Sequence, residues 1–186
     1  MEEELRQVSS NCIRVCLIGP ESSGKSTLSR KLAQHYSAPL VPEYARQYLQ
    51  DLWDTEQKIC RPMDLLPIAK GQIKLENTAI KNATNLVICD TDLLTTKTYS
   101  EAYYNGWCPE LLEKMALENT YDLYLLTYID TPWEQDDLRD RPERREEMFN
   151  YFKHNLEKYK KPFILVKGTV PERMVTATES INTLLV

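Results

Sequence analysis

The chain lacks most of what would mark a membrane, secreted or nucleic-acid-binding protein. No apolar run among its 186 residues approaches a membrane span, and the opening MEEELRQ has no signal-peptide core. Basic residues are not in excess. Lys and Arg number 23 against 28 Asp and Glu, for a net charge of −5. That balance argues against general affinity for nucleic acid or a membrane surface, so any anion recognition must be local. The five cysteines are odd in number and show no CxxC pair. Cys16 and Cys89 sit in apolar runs, where cysteine acts as a small hydrophobe. A reducing cytoplasm is therefore expected rather than a disulfide framework or a zinc site. The two histidines, His35 and His154, have no spacing that suggests a metal or a triad. Internal repeats, low-complexity tracts and Gly/Ser linkers are absent too. The expectation is a polar, frayed lead-in over residues 1–11 and one domain over 12–186.

What is present is concentrated at Gly19 to Ser26. The stretch GPESSGKS satisfies the phosphate-loop pattern G-x-x-x-x-G-K-[ST] in full. It follows the β-branched run Ile13–Ile18 and precedes a segment with helical apolar spacing at Leu28, Leu32 and Ala33. Strand, loop and helix give the motif its mechanism. Backbone N–H groups converge on an anion, and the helix N-terminus adds partial positive charge. Gly19, Glu21, Ser22, Ser23, Gly24, Lys25, Ser26 and Thr27 are the expected nucleotide contacts. Lys25 would reach the terminal phosphates and the Ser26 hydroxyl would sit on Mg²⁺.

Downstream, strand-like and helix-like runs alternate. Strands are expected at 39–41, 85–89, 122–129 and 163–166. Helices are expected at 43–53, 64–83, 95–104, 109–118, 144–160 and 171–185. The alternation predicts an α/β fold, a five-stranded parallel sheet with helices on both faces, and ligands at the carboxyl ends of the strands.

Several residues at that edge could carry chemistry. The third strand closes on Asp90, the pattern of a carboxylate that holds Mg²⁺ beside a phosphate loop. Glu43 and Asp92 are two candidates for the carboxylate that orients an acceptor hydroxyl and takes its proton. Glu43 could instead be a first-turn acid favoured by the helix dipole, and Asp92 a helix cap. Arg46 could clamp a phosphate or pair with Glu43 three residues earlier. Residues 130–145 pack Arg139, Arg141, Arg144 and Arg145 among acids, and read either as a lid or as a solvated charged face. Tyr104 and Trp107, around the Asn105-Gly106 turn, could stack on a flat base or pack at the core edge.

Taken together, GPESSGKSTL, PEYARQYL, CDTDLLTT, TPWEQDDLRD and the following RRE resemble the ribosylnicotinamide kinase domain of the bifunctional nicotinamide-nucleotide adenylyltransferase/kinase family of bacterial NAD metabolism. The likeness covers roughly residues 13–184, with departures at Pro42 and Asp137. It implies a P-loop kinase core with a lid, using ATP and Mg²⁺ to phosphorylate the ribose 5′-hydroxyl of nicotinamide riboside. It also implies Asp90 at the metal, Glu43 or Asp92 near the ribose, and Arg139 in the lid. Without the family's adenylyltransferase and DNA-binding regions, the chain is expected to act as a stand-alone kinase domain. Its partners would be ATP and a small nucleoside-like acceptor; a homo-oligomer stays open. A kinase of another nucleoside or nucleotide, or a regulatory P-loop ATPase, are the alternatives. A GTPase switch is disfavoured because no N/T-K-x-D block occurs.

Overall fold

In the computed structural model, described for residues 2–136, 138 and 142–186, five parallel strands form one sheet in the order β2-β3-β1-β4-β5. The strands are β1 (Ile13–Ile18), β2 (Leu40–Val41), β3 (Leu86–Asp90), β4 (Leu123–Thr127) and β5 (Phe163–Val166). Seven α-helices connect and cover them: α1 (Lys25–Tyr36), α2 (Tyr44–Glu56), α3 (Leu65–Asn82), α4 (Leu93–Tyr103), α5 (Glu110–Glu118), α6 (Arg145–Lys158) and α7 (Val170–Asn182). β1 lies at the centre, with Cys16 beside Cys89 of β3 and Tyr124 of β4.

Strand alternation sends side chains to two cores. Val15 and Leu17 pack with Leu28, Leu32, Ala177 and Ile181 beneath α1 and α7. Cys16 and Ile18 pack with Ile80, Leu94, Phe152 and Leu156 beneath α3, α4 and α6. Near-continuous apolar strands are what burial on both faces demands.

The lead-in departs from expectation. Residues 2–11 are docked: Leu5 is fully buried among Ala69, Ile73, Leu112 and Met115. Gln7 donates to Glu76 at 2.7 Å, and Arg14 donates to the Val8 carbonyl at 2.6 Å. One buried leucine and a paired internal carboxylate outweigh the polar composition of the segment. Helix ends shift as well. α2 continues to Glu56 and stops where Gln57 adopts a left-handed conformation. α4 starts two residues early because the Asp92 side chain accepts from the Thr95 N–H.

Candidate active site

The carboxyl ends of β1, β2 and β3 open into one cleft of about 1460 Å³, walled by the phosphate loop, the starts of α2 and α4, and the turn after β5. The phosphate loop follows β1 directly. Gly19 has φ of 145°, and a Cβ there would come within 2.5 Å of Thr127 Oγ1, so no larger residue fits. Thr127 also meets the Ser23 hydroxyl at 2.7 Å and so ties the loop to β4. Lys25 is buried and donates to the Gly19 and Pro20 carbonyls at 2.8 and 2.7 Å. Its ammonium is thus held inside the loop that it would share with phosphates. Glu21, Ser22, Gly24, Ser26 and Thr27 all face the cleft.

Asp90 closes β3 beside this loop. Its Oδ1 is buried without a hydrogen-bond partner. Burial pushes its carboxyl up from the ordinary range, opposed by the Ser26 hydroxyl and by the charges of Lys25 and Arg30. An orphaned carboxylate oxygen next to a phosphate-loop serine suits a hard cation with oxygen ligands, so Ser26 and Asp90 fit Mg²⁺.

The two candidate acids separate clearly. Glu43 faces the cleft at the N-cap of α2, yet its side chain makes no cap hydrogen bond. Asp92, expected near the acceptor, is instead 2% exposed and does not line the cleft. Its Oδ1 accepts from the Thr95 N–H and hydroxyl at 2.9 and 3.0 Å, and its Oδ2 from the Tyr124 hydroxyl at 2.8 Å. Burial still holds its carboxyl above the usual range, against those bonds. Asp92 is the helix cap, spent on structure.

Arg46 faces the cleft and pairs with Asp136 at 2.5 Å. The described part of 130–145 arches over the phosphate loop. Thr131 donates to the Ser22 carbonyl at 2.6 Å, the Glu134 N–H to the Ser22 hydroxyl at 2.8 Å, and Arg145 to the Ser22 carbonyl at 3.0 Å. Arg139, like Asp137 and Arg141, lies outside the described residues. The expected aromatics divide. Tyr104 lines the cleft and donates to the Cys60 carbonyl at 2.9 Å. Trp107 is 48% exposed, packs edge-on against Tyr104, and does not line the cleft. It follows the turn rather than the wall.

The sequence reading missed Trp53, Tyr44, Gln72 and Arg173, all of which line the cleft. Arg173 is buried and donates to the Ser23, Gly168 and Tyr128 carbonyls at 2.5, 3.0 and 3.0 Å. It also pairs with Asp130. Trp53 stands one turn before the end of α2 and was visible as an apolar helix residue; nothing in the sequence signalled Arg173.

Comparison with known proteins agrees with this architecture. A family model described as an AAA domain, AAA_28, matches residues 14–173. The trifunctional NAD biosynthesis/regulator proteins NadR of Salmonella typhimurium and Escherichia coli are each 33% identical to this chain over 125 residues, 67% of this chain and 30% of their own length. The chain therefore spans less than a third of the length of these curated relatives in the matched region. Among solved structures, a NadR protein in complex with NR superposes with a TM-score of 0.76 at 21% identity, covering 93% of this chain and 51% of that one. A NadR protein with NAD and AMP-PNP gives 0.73 at 21% identity, over 93% and 49%. Thymidylate kinase from Ehrlichia chaffeensis gives 0.69 at 16% identity, over 93% and 100%. The shared fold is that of P-loop nucleoside and nucleotide kinases.

Proposed function

The chain belongs to the AAA-domain family AAA_28, and from that membership and its cleft we propose that it is an ATP-dependent kinase that phosphorylates nicotinamide riboside to nicotinamide mononucleotide. The carrying observation is one continuous cleft lined by both the phosphate loop and Glu43. The relatives support the acceptor: proteins named for NAD biosynthesis share 33% identity, and a related NadR structure holds NR.

In this reading the triphosphate lies along residues 19–27, with Lys25 leaving the Gly19 and Pro20 carbonyls to pair with the terminal phosphate. Bound Mg²⁺, held by Ser26 and Asp90, would neutralise charge on the transferring group. Glu43 orients the ribose 5′-hydroxyl and accepts its proton as the oxygen attacks the γ-phosphorus. The adenine side is offered by Gly168 and Thr169, which line the cleft after β5. Thr131 and Glu134, with Arg145, cover the phosphate loop through Ser22 and in this reading belong to a lid that excludes water.

Purified protein with Mg-ATP and a panel of nucleosides tests this. Nicotinamide mononucleotide should form from nicotinamide riboside faster than any other product. Turnover of a purine or pyrimidine nucleoside, with none of nicotinamide riboside, would assign the cleft to a different nucleoside kinase.

A further inference from the structure

Glu43 stands at the start of α2, where the first-turn N–H groups have no partner within the helix. A short Asp, Asn, Ser or Thr side chain at an N-cap ordinarily bonds one of them. Here the Glu43 side chain does not, and the Tyr44 N–H is served from another helix. Gln72 of α3 accepts from it at 2.8 Å through Oε1. The same carboxamide donates through Nε2 to the Pro42 carbonyl at 3.3 Å. One side chain therefore holds the residue before Glu43 and the residue after it.

Gln72 is only 2% exposed, on the face of α3 that also buries Ile68, Ala69, Ile73 and the Glu76 carboxylate. An amide buried in such a place is costly unless both its ends are bonded. These two bonds satisfy it. The preceding residue completes the arrangement. Gly71 leaves room for the Tyr44 ring: a Cβ there would lie 2.0 Å from Tyr44 Cε1. A glycine in mid-helix costs about 1 kcal/mol relative to alanine. Its place opposite Tyr44 gives that cost a purpose.

We propose that Gln72, with Gly71, is a positioning clamp for Glu43: it satisfies the first N–H of α2 and holds the backbone on both sides of Glu43, and so sets where that carboxylate is presented in the cleft. The inference rests on the reading of Glu43 as the group that orients the acceptor hydroxyl. The clamp should matter in the step where that hydroxyl attacks and hardly at all in ATP binding.

Gln72→Met keeps the volume and removes both bonds, and Gly71→Ala pushes the Tyr44 ring out by a different route. In the full chain, each should lower kcat at least about tenfold on whichever nucleoside the wild type phosphorylates, with KM for ATP changed less than about twofold. Amide hydrogen exchange read by NMR should show Tyr44 at least about tenfold less protected in Gln72→Met, with α3 amides as protected as in wild type. Wild-type protection at Tyr44, or lost protection with kcat unchanged, overturns the clamp. A wild type inactive on every nucleoside overturns the kinase reading instead, and the exchange measurement then decides the clamp alone. Wild-type kcat in Glu43→Gln would remove Glu43 from the chemistry and the clamp's catalytic role with it.

Discussion

The Arg173 guanidinium donates to the Ser23 carbonyl at 2.5 Å, so a residue of the last helix holds the backbone of the phosphate loop from below. It does so while paired with Asp130 at the end of β4 and bonded to Gly168 after β5. Three loops that line the cleft share this one cation. Arg173→Met would leave those carbonyls unpaired and the Asp130 carboxylate, 29% exposed, without its partner. Leaving such buried carbonyls unsatisfied costs about 1–3 kcal/mol, and a chain of this size then loses roughly 2–12 °C in Tm. Affinity for a non-hydrolysable ATP analogue should fall with it. Calorimetric melting and analogue titration check both.

The same pair sets a pH dependence. Burial works against the charged Asp130, but the Gly168 N–H and Arg173 hold its carboxyl below the usual range. A depressed carboxyl contributes stability that is complete above its unfolded value, about 3.9, and is lost as pH falls through the folded one. The Tm advantage of wild type over Asp130→Asn should be constant near neutrality and shrink on acidification below about pH 4–5. An advantage that grows in acid would contradict the pairing.

Lys25→Ala removes the cation at the centre of the phosphate loop. Loss of one preorganised charge partner in the transition state lowers kcat about 10²–10³-fold. Steady-state kinetics retaining more than about a tenth of wild-type kcat, a loss under ~1.4 kcal/mol, would show that Lys25 is not the phosphate ligand.

Asp90→Asn should separate function from stability. The wild-type Oδ1 is buried and unbonded, and burial disfavours its charge. An uncompensated buried polar group costs about 1–3 kcal/mol. The amide variant should melt at or above the wild-type temperature without nucleotide, yet lose most Mg²⁺-dependent turnover. A variant both less stable and fully active would show that Asp90 serves packing alone.

What the sequence made legible were features whose causes are local. A Gly-rich loop between a β-branched run and a helix is written in consecutive residues, and the alternation of apolar runs follows from burial of each strand on both faces. The positions of Glu43 and Asp90 on the cleft were legible because each sits where a strand hands over to the next element. Asp92 was ambiguous because its two readings differ only in what lies opposite, and the Tyr124 hydroxyl that decides it is 32 residues away. Arg173 and Ser23 are 150 residues apart, so no window of sequence joins them. Leu5 was read as part of a polar tail because composition is an average, and one buried leucine with its partners across the chain can dock a segment that is otherwise charged.

The arch over the phosphate loop carries its own test. Its described contacts converge on Ser22 from Thr131, Glu134 and Arg145. The outer pair, Arg46 with Asp136, is partly exposed, and such pairs add little stability, about 0–1 kcal/mol. Asp136→Asn should therefore leave Tm nearly unchanged. Hydrogen exchange over residues 130–145 should slow on adding a non-hydrolysable ATP analogue with Mg²⁺. Equal protection in both states would leave a static charged face rather than a lid.

The aromatic wall gives the test of acceptor recognition. Trp53 and Tyr104 line the cleft, whereas Trp107 packs edge-on against Tyr104 with nearly half its surface in solvent. A pyridinium ring over an aromatic face gains about 0.5–2 kcal/mol, equivalent to roughly a 2- to 30-fold change in affinity. Trp53→Ala should accordingly raise KM for nicotinamide riboside by a factor in that range, with KM for ATP little altered, because Trp53 lies on α2 and outside the phosphate loop. Trp107→Ala should change either value less than about twofold, since its ring touches the wall only edge-on. A neutral nucleoside, without the cationic ring, should be less sensitive to Trp53→Ala than nicotinamide riboside. Equal sensitivity of the two acceptors would mean that Trp53 supplies apolar area and not charge recognition. A larger effect from Trp107 than from Trp53 would place the base against the Asn105-Gly106 turn and refute the wall as drawn.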